Sequence, residues 1–123
     1  MNINPIVEKA LYGIGCPVSA VRIKPGEKPE TYITYYTVSE SGELFADDEE
    51  RAETTYGTVD LFSKTNYKKI LKNIKSRLKK AGFMVTSSGP EMWENDTGYF
   101  HIPVSFYLES ESEETEENDI WQL

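Results

Sequence analysis

The sequence has 123 residues, a net charge of −8 and one cysteine, Cys16. This length is typical of a single domain, a lone cysteine excludes an intrachain disulfide, and no apolar run approaches the roughly 20 residues needed to cross a membrane. Residues 1–15 lack the basic start and cleavage site of a signal peptide. We therefore expect a cytoplasmic protein with no membrane partner.

Charge is segregated into blocks along the chain. Residues 64–80 hold eight of the thirteen Lys and Arg residues, residues 40–53 hold seven acids, and residues 109–119 hold seven more. Because like charges dominate each block, pairing between residues three or four apart cannot neutralise them. We expect solvent or a partner to face each block.

The N-terminal third predicts a helix and two strands. Asn4 and Pro5 favour a helix start, and Gly13 ends this short amphipathic helix. A first strand is predicted over residues 17–24. Residues 31–38 contain only β-branched residues and tyrosines, which strongly favour a second strand.

Residues 39–53 are predicted to form a long, exposed acidic loop, because they have little apolar content. Loops of this length are uncommon in compact domains and are often functional. The acidic run Asp47, Asp48, Glu49 and Glu50 is therefore a candidate interface. It lacks the ligand spacing of a calcium-binding EF-hand loop.

A strand over residues 54–62 leads into the most regular pattern in the chain, a predicted helix of about sixteen residues. Apolar residues recur at spacings of three and four from Tyr67 to Ala81. Ser63 or Thr65 can cap its start, and Gly82 can end it. We expect this helix to cover the core face of a small sheet.

Lys68, Lys72, Lys75 and Lys79, which we call the lysine flank, share one side of this helix. Solvent, the acidic segments of a neighbouring subunit and the phosphates of a nucleic acid could each face them. An overall pI near 4.7 makes nucleic acid an unlikely partner. A nucleic-acid-binding or regulatory adaptor that uses the helix over 64–80 remains the alternative function.

The C-terminal part predicts a short strand over 83–87, an irregular segment over 91–97 and a last strand over 99–108. In the last strand two sets of residues alternate, and the first should face the core: Phe100, Ile102, Val104, Phe106 and Leu108 against Tyr99, His101, Pro103, Ser105 and Tyr107. Pro103 cannot donate to a strand ladder and therefore predicts an edge or a bulge.

These elements predict an α+β fold: a single small mixed or antiparallel sheet of about five strands, covered by one long helix, plus a short N-terminal helix. We expect residues 1–108 to form this domain and residues 109–123 to be an acidic, disordered tail. The tail ends in Ile120-Trp121-Gln122-Leu123. Trp121 is a candidate partner contact, and the alternatives are that the segment folds back onto the domain or is a mobile terminus.

The sequence offers little support for catalysis. His101 is the only histidine, and it falls on the strand face opposite the core-facing residues. Cys16 has no motif around it, and one Cys and one His are too few for a structural zinc site. We expect no enzyme activity, no metal site and no cofactor.

The order of the motifs is similar to that of a known family. A tyrosine-rich strand over 32–38 is followed by GELFADDEE, by TVDLFSKTNY entering a helix, by AGF after it, and by GPEMWENDTGYFHIPVSF. This arrangement, over residues 17–108, resembles the tail-completion proteins of long-tailed bacteriophages and prophages, in the tail-terminator or tail-to-head joining group.

The resemblance implies a structural virion-assembly protein. Copies of such a subunit would form a ring, expected to be a hexamer, on the last ring of the tail tube protein, and would present a surface to the head connector protein. The protein would lie at the head-proximal end of the virion tail, and in the host cytoplasm before assembly. In a ring each subunit uses two different patches, so the acidic run and the lysine flank are candidate complementary interfaces.

Overall fold

The computed structural model describes residues 2–21, 29–41 and 52–111. Two helices and six strands are formed by these residues. Their bounds are α1 Asn4–Leu11, β1 Val18–Ala20, β2 Thr31–Ser41, β3 Ala52–Ser63, α2 Lys68–Lys80, β4 Met84–Ser88, β5 Met92–Glu94 and β6 Tyr99–Glu111.

The six strands form one mixed sheet in the order β1-β2-β3-β6-β4, with β5 also paired to β6. β1 runs parallel to β2, and the other pairs are antiparallel. β3 and β4 both run antiparallel to β6, which lies between them, so they are parallel to each other. α2 is therefore the crossover that connects two parallel strands across an inserted third strand.

The core lies between the two helices and one face of the sheet. Val7 and Leu11 of α1, together with Ile3 just before that helix, join a single buried cluster, to which α2 contributes Ile74 and Leu78. The sheet residues of that cluster are Ile33, Tyr35, Val59, Leu61, Ile102, Val104 and Phe106. The prediction that alternate residues of β6 face the core is thus confirmed for Ile102, Val104 and Phe106. Phe100 and Leu108, at the two ends of the set, are only partly buried.

The fold class expected from the sequence, a sheet of about five strands covered by one long helix, is wrong. The described residues are mostly strand, the sheet has six strands, and two short helices of 8 and 13 residues share the covering role. The segment 91–97, expected to be irregular, contains β5, which pairs with β6 through Trp93 and Phe100. That pairing was missed because a three-residue strand has no periodicity of its own.

The expected long helix is shorter because Ser63, one of its two predicted caps, serves the sheet. Ser63 ends β3, and its Oγ lies 2.9 Å from Thr31 Oγ1. The helix begins at Lys68, whose backbone N–H donates to Asn66 Oδ1 at 3.1 Å. Gly82, with a φ of 101°, follows the helix end as predicted.

Arg77 joins the two helices. Its Nη1 donates to the carbonyl oxygens of Ala10 at 3.3 Å and Tyr12 at 2.7 Å, at the C-terminal end of α1. A cation at that position meets the negative end of the helix dipole as well as its unpaired carbonyl groups. Arg77 therefore fixes the side of α2 that faces α1.

The acidic loop predicted over 39–53 is shorter than expected. The ladder between β2 and β3 continues into the polar residues at the end of β2 and the start of β3, so that Ser41 pairs with Glu53. Residues 42–51, with the acidic run, lie outside the described residues, as do residues 112–123 with Trp121. Since Ala52 pairs with Glu111, both undescribed stretches are joined to the sheet at the same end.

Candidate functional site

The lysine flank lies on the side of α2 that points away from α1. Successive helical residues are about 100° apart, so the flank is rotated by roughly 170° from Arg77, which contacts α1. Lys68, Lys72 and Lys79 are exposed, and Lys75 is partly so. Together with Leu71, Ser76 and Lys80 they line a shallow, open groove along the helix.

The four ammonium groups form a linear array of positive charge. From residue 68 to residue 79 the helix rises about 16 Å. None of these lysines forms an ion pair with a carboxylate of the side chains that the structure describes. The groove therefore suits an extended acidic segment or a run of phosphates, either of which could neutralise several lysines at once.

The structure describes four of the nine interface residues predicted from the sequence. The lysine flank lies along one side of α2, and its role as an interface stays a prediction. Asp47, Asp48, Glu49, Glu50 and Trp121 lie outside the described residues. Their placement against the lysine flank, or against any partner, stays a prediction.

A second surface was missed by the sequence analysis: the outer face of the sheet, which is the face away from α1 and α2. One row of side chains crosses four strands in register on this face, Val38 on β2, Tyr56 on β3, Tyr107 on β6 and Met84 on β4. Val38, Tyr56 and Met84 are 53%, 48% and 57% exposed. We call these four residues the exposed row.

The sequence carried a signal for this surface. β2 has apolar side chains on both faces: Ile33 and Tyr35 point into the core, while Tyr36 and Val38 point outward and are exposed. A strand with one solvated face normally alternates apolar and polar residues. Because β2 lacks that alternation, its outer face is apolar at Tyr36 and Val38 where a solvated face would normally be polar.

The other end of the outer face is covered by its own side chains. Tyr32, Phe62 and Tyr99 pack together, and the imidazole of His101 stacks on Phe62 with ring centroids 4.3 Å apart. His101 Nε2 lies 2.8 Å from Asp60 Oδ1. His101 is on the face that the alternation predicted, and its pairing with Asp60 links β6 to β3.

This cluster does not form a metal site. Glu94 Oε2 lies 4.0 Å from His101 Nδ1, whereas Asp60 contacts the other ring nitrogen, so the two carboxylates do not converge on one point. In the described part of the chain, no three His, Cys, Asp or Glu side chains are arranged to hold a metal ion. Burial raises the pKa of the Cys16 thiol, which keeps it in its less reactive neutral form.

Neither described helix is long and apolar enough to span a membrane. No protein-family model and no curated protein matches the sequence. Among solved structures, a chain from the virion of a native gene transfer agent particle is similar in fold, with a TM-score of 0.55 and 9% sequence identity. The match covers 89% of this chain and 87% of that chain. At this identity the likeness shows a shared fold: this chain has the fold of a chain found in a virion particle.

Proposed function

We propose that the protein is a structural subunit of a virion, and more specifically a phage tail-completion subunit. The observation that carries this proposal is the fold shared with a chain of the gene transfer agent virion over nearly the whole length of both chains. The motif order that resembles tail-completion proteins supports the same conclusion independently of the structure.

In this proposal copies of the chain form a ring on the end of the tail tube and join it to the head connector. A closed ring uses two different patches on each subunit. The lysine flank is one patch, and the acidic run Asp47 to Glu50 of the next subunit is the other. Opposite charges across such an interface increase the rate of encounter and select the register, more than they add affinity.

Tail assembly tests the proposal directly. Tails assembled without the protein should vary in length and fail to join heads, and the purified protein should bind one end of purified tubes. Electron microscopy of the two preparations measures tube length and end occupancy. The proposal is wrong if the protein neither binds tube ends nor changes their length distribution.

Charge reversal on α2 tests the role of the lysine flank. Lys72→Glu should weaken subunit association by up to about 1 kcal/mol per interface, roughly fivefold, because it replaces an attraction with a repulsion. Lys69→Glu is the matched control: it makes the same charge change on the same exposed helix, about 90° away from the flank. End occupancy on tubes, measured at low and high salt, should fall for Lys72→Glu only. Equal effects of the two variants on end occupancy would show that the lysine flank is not part of the interface.

The exposed lysine flank also favours one alternative, a nucleic-acid-binding or regulatory adaptor. That function requires binding to duplex DNA that weakens steeply as salt rises, with a slope set by the number of phosphates contacted. Mobility shift at low salt measures it. Binding that is lost in Lys72→Glu and kept in Lys69→Glu, together with normal tails, would favour the adaptor over the tail subunit.

A further inference from the structure

The exposed row is an apolar surface that no described element covers. α1 and α2 both pack on the opposite face, and the row extends across four strands. Tyr56 and Tyr107 contact each other, with ring centroids 6.1 Å apart, and Tyr36 adds a further exposed ring beside them. Contiguous apolar surface of this kind marks a docking site more often than single exposed residues do.

An apolar segment of the same chain lies within reach of this row. β6 ends at Glu111, and Tyr107 of the row is four residues earlier, a distance of about 13 Å along the strand. Trp121 follows Glu111 by ten residues, which span up to about 33 Å when extended. The intervening residues 112–119 are all polar and therefore suit a solvated spacer.

The chemistry of the two surfaces is complementary. Ile120, Trp121 and Leu123 are the apolar residues after the acidic spacer, and the row offers two tyrosine rings, a valine and a methionine. Tryptophan packs favourably on tyrosine rings and on methionine sulfur. A short tether gives such a segment an effective concentration in the millimolar range, so even a weak contact is populated.

We propose that the C-terminal segment Ile120-Trp121-Gln122-Leu123 docks on the exposed row of its own chain. The segment covers the outer face of the sheet at the end where β6 leaves it. This docking goes beyond the proposed function and does not depend on it, because it requires neither a ring nor a tail tube.

Tryptophan fluorescence tests the docking in the full-length protein. The chain has two tryptophans, and Trp93→Phe leaves Trp121 as the only one. In this background Trp121 should emit at shorter wavelength, and be quenched several-fold less by acrylamide, than in the same protein unfolded in denaturant. Both signals should be unchanged over a wide range of protein concentration.

Substitutions in the row then identify the docking surface. Tyr56→Ser and Met84→Ser should each return Trp121 toward the emission and quenching of the unfolded protein, because each removes part of the apolar row. Tyr12→Ser is the matched control, since Tyr12 is 85% exposed and lies at the end of α1 on the other side of the sheet. Circular dichroism confirms that each variant is folded.

Three results would overturn the inference. Trp121 could be as accessible in the folded protein as in denaturant, its shielding could survive both row variants, or its shielding could disappear on dilution. The last result would mean that a second copy of the chain holds the segment. None of the three bears on tube-end binding, so the inference and the proposed function fail separately.

Discussion

Gly57 is a position at which the addition of one methyl group should destabilise the fold. It lies in the middle of β3, opposite Phe106 of β6, on the core face of the sheet. A Cβ at residue 57 would lie 2.3 Å from Phe106 Cζ and 2.8 and 2.9 Å from the two Cε atoms. The backbone at Gly57 is ordinary strand, so the need for glycine comes from the ring and not from its conformation.

The cost of Gly57→Ala follows from how little the ring can move. Carbon atoms pack at about 3.5–4.0 Å, so Phe106 would have to shift by more than about 1 Å. The ring is 1% exposed and packs against Phe83 at a centroid distance of 4.8 Å. Overpacking of a filled core costs about 1–3 kcal/mol, and alanine returns about 0.4–1 kcal/mol by restricting the unfolded chain. Taking the middle of each range, we expect a net loss of about 1.3 kcal/mol in the free energy of unfolding.

Chemical denaturation of a double-mutant cycle checks this reasoning. Gly57→Ala and Phe106→Leu should each destabilise the protein, but the double variant should lose less than the sum, because the shorter leucine leaves room for the new methyl group. Thr58→Ala, on the other face of the same strand, controls for a general effect on β3. A Gly57→Ala protein as stable as the parent, or strictly additive effects, would refute the steric explanation.

Two further predictions concern α1. Arg77→Ala should lower the free energy of unfolding by about 1–3 kcal/mol, because the carbonyl groups of Ala10 and Tyr12 lose a charged donor. Arg77→Lys should restore part of the lost stability. Equal denaturation midpoints for Arg77→Ala and the parent would contradict this reasoning. The pKa of Tyr35 is raised above its usual value near 10, mainly by burial and secondly by the hydrogen bond to Glu8. The folded state then holds its proton more tightly, so this contribution is complete below pH 10 and is lost as the pH rises above it. Denaturation midpoints measured from pH 9 upward should fall less steeply for Tyr35→Phe than for the parent. Parallel curves for the two proteins would count against the assignment.

Local sequence patterns predicted the parts of the fold that depend on local chemistry. The alternation in β6 places Ile102, Val104 and Phe106 in the core, and Gly82 marks the end of α2. The β-branched and tyrosine content of residues 31–38 identifies β2. Each of these features is set by burial or backbone conformation within one element.

The remaining features depend on contacts between distant residues. Ser63 was predicted as a helix cap, but its hydroxyl bonds to Thr31, 32 residues earlier, and accepts from the backbone N–H of Thr65, which precedes the helix. Glu53 and the polar residues around it belong to β3 because the strand has a partner on each side, β2 and β6. A ladder on both sides satisfies the backbone along the whole strand, and this overrides the weak strand preference of acidic side chains.

The lysine flank could be predicted from periodicity, whereas the exposed row could not be assembled without the sheet register. Val38, Tyr56, Met84 and Tyr107 come from four strands, and only the pairing of those strands makes them neighbours. The sequence carried a signal for this surface only in β2, which has apolar side chains on both faces. It did not show which residues of other strands complete the surface.

The register of Ser41, Ala52 and Glu111 has a consequence for how the molecule meets any partner. The stretches 42–51 and 112–119 each carry five acids, and both are tethered at one end of the sheet. Ten acids are thereby attached to the sheet at one end, which makes the distribution of charge over the molecule uneven. In the field of a charged partner such a molecule rotates into alignment before contact, an effect that dissolved salt suppresses beyond about 10 Å.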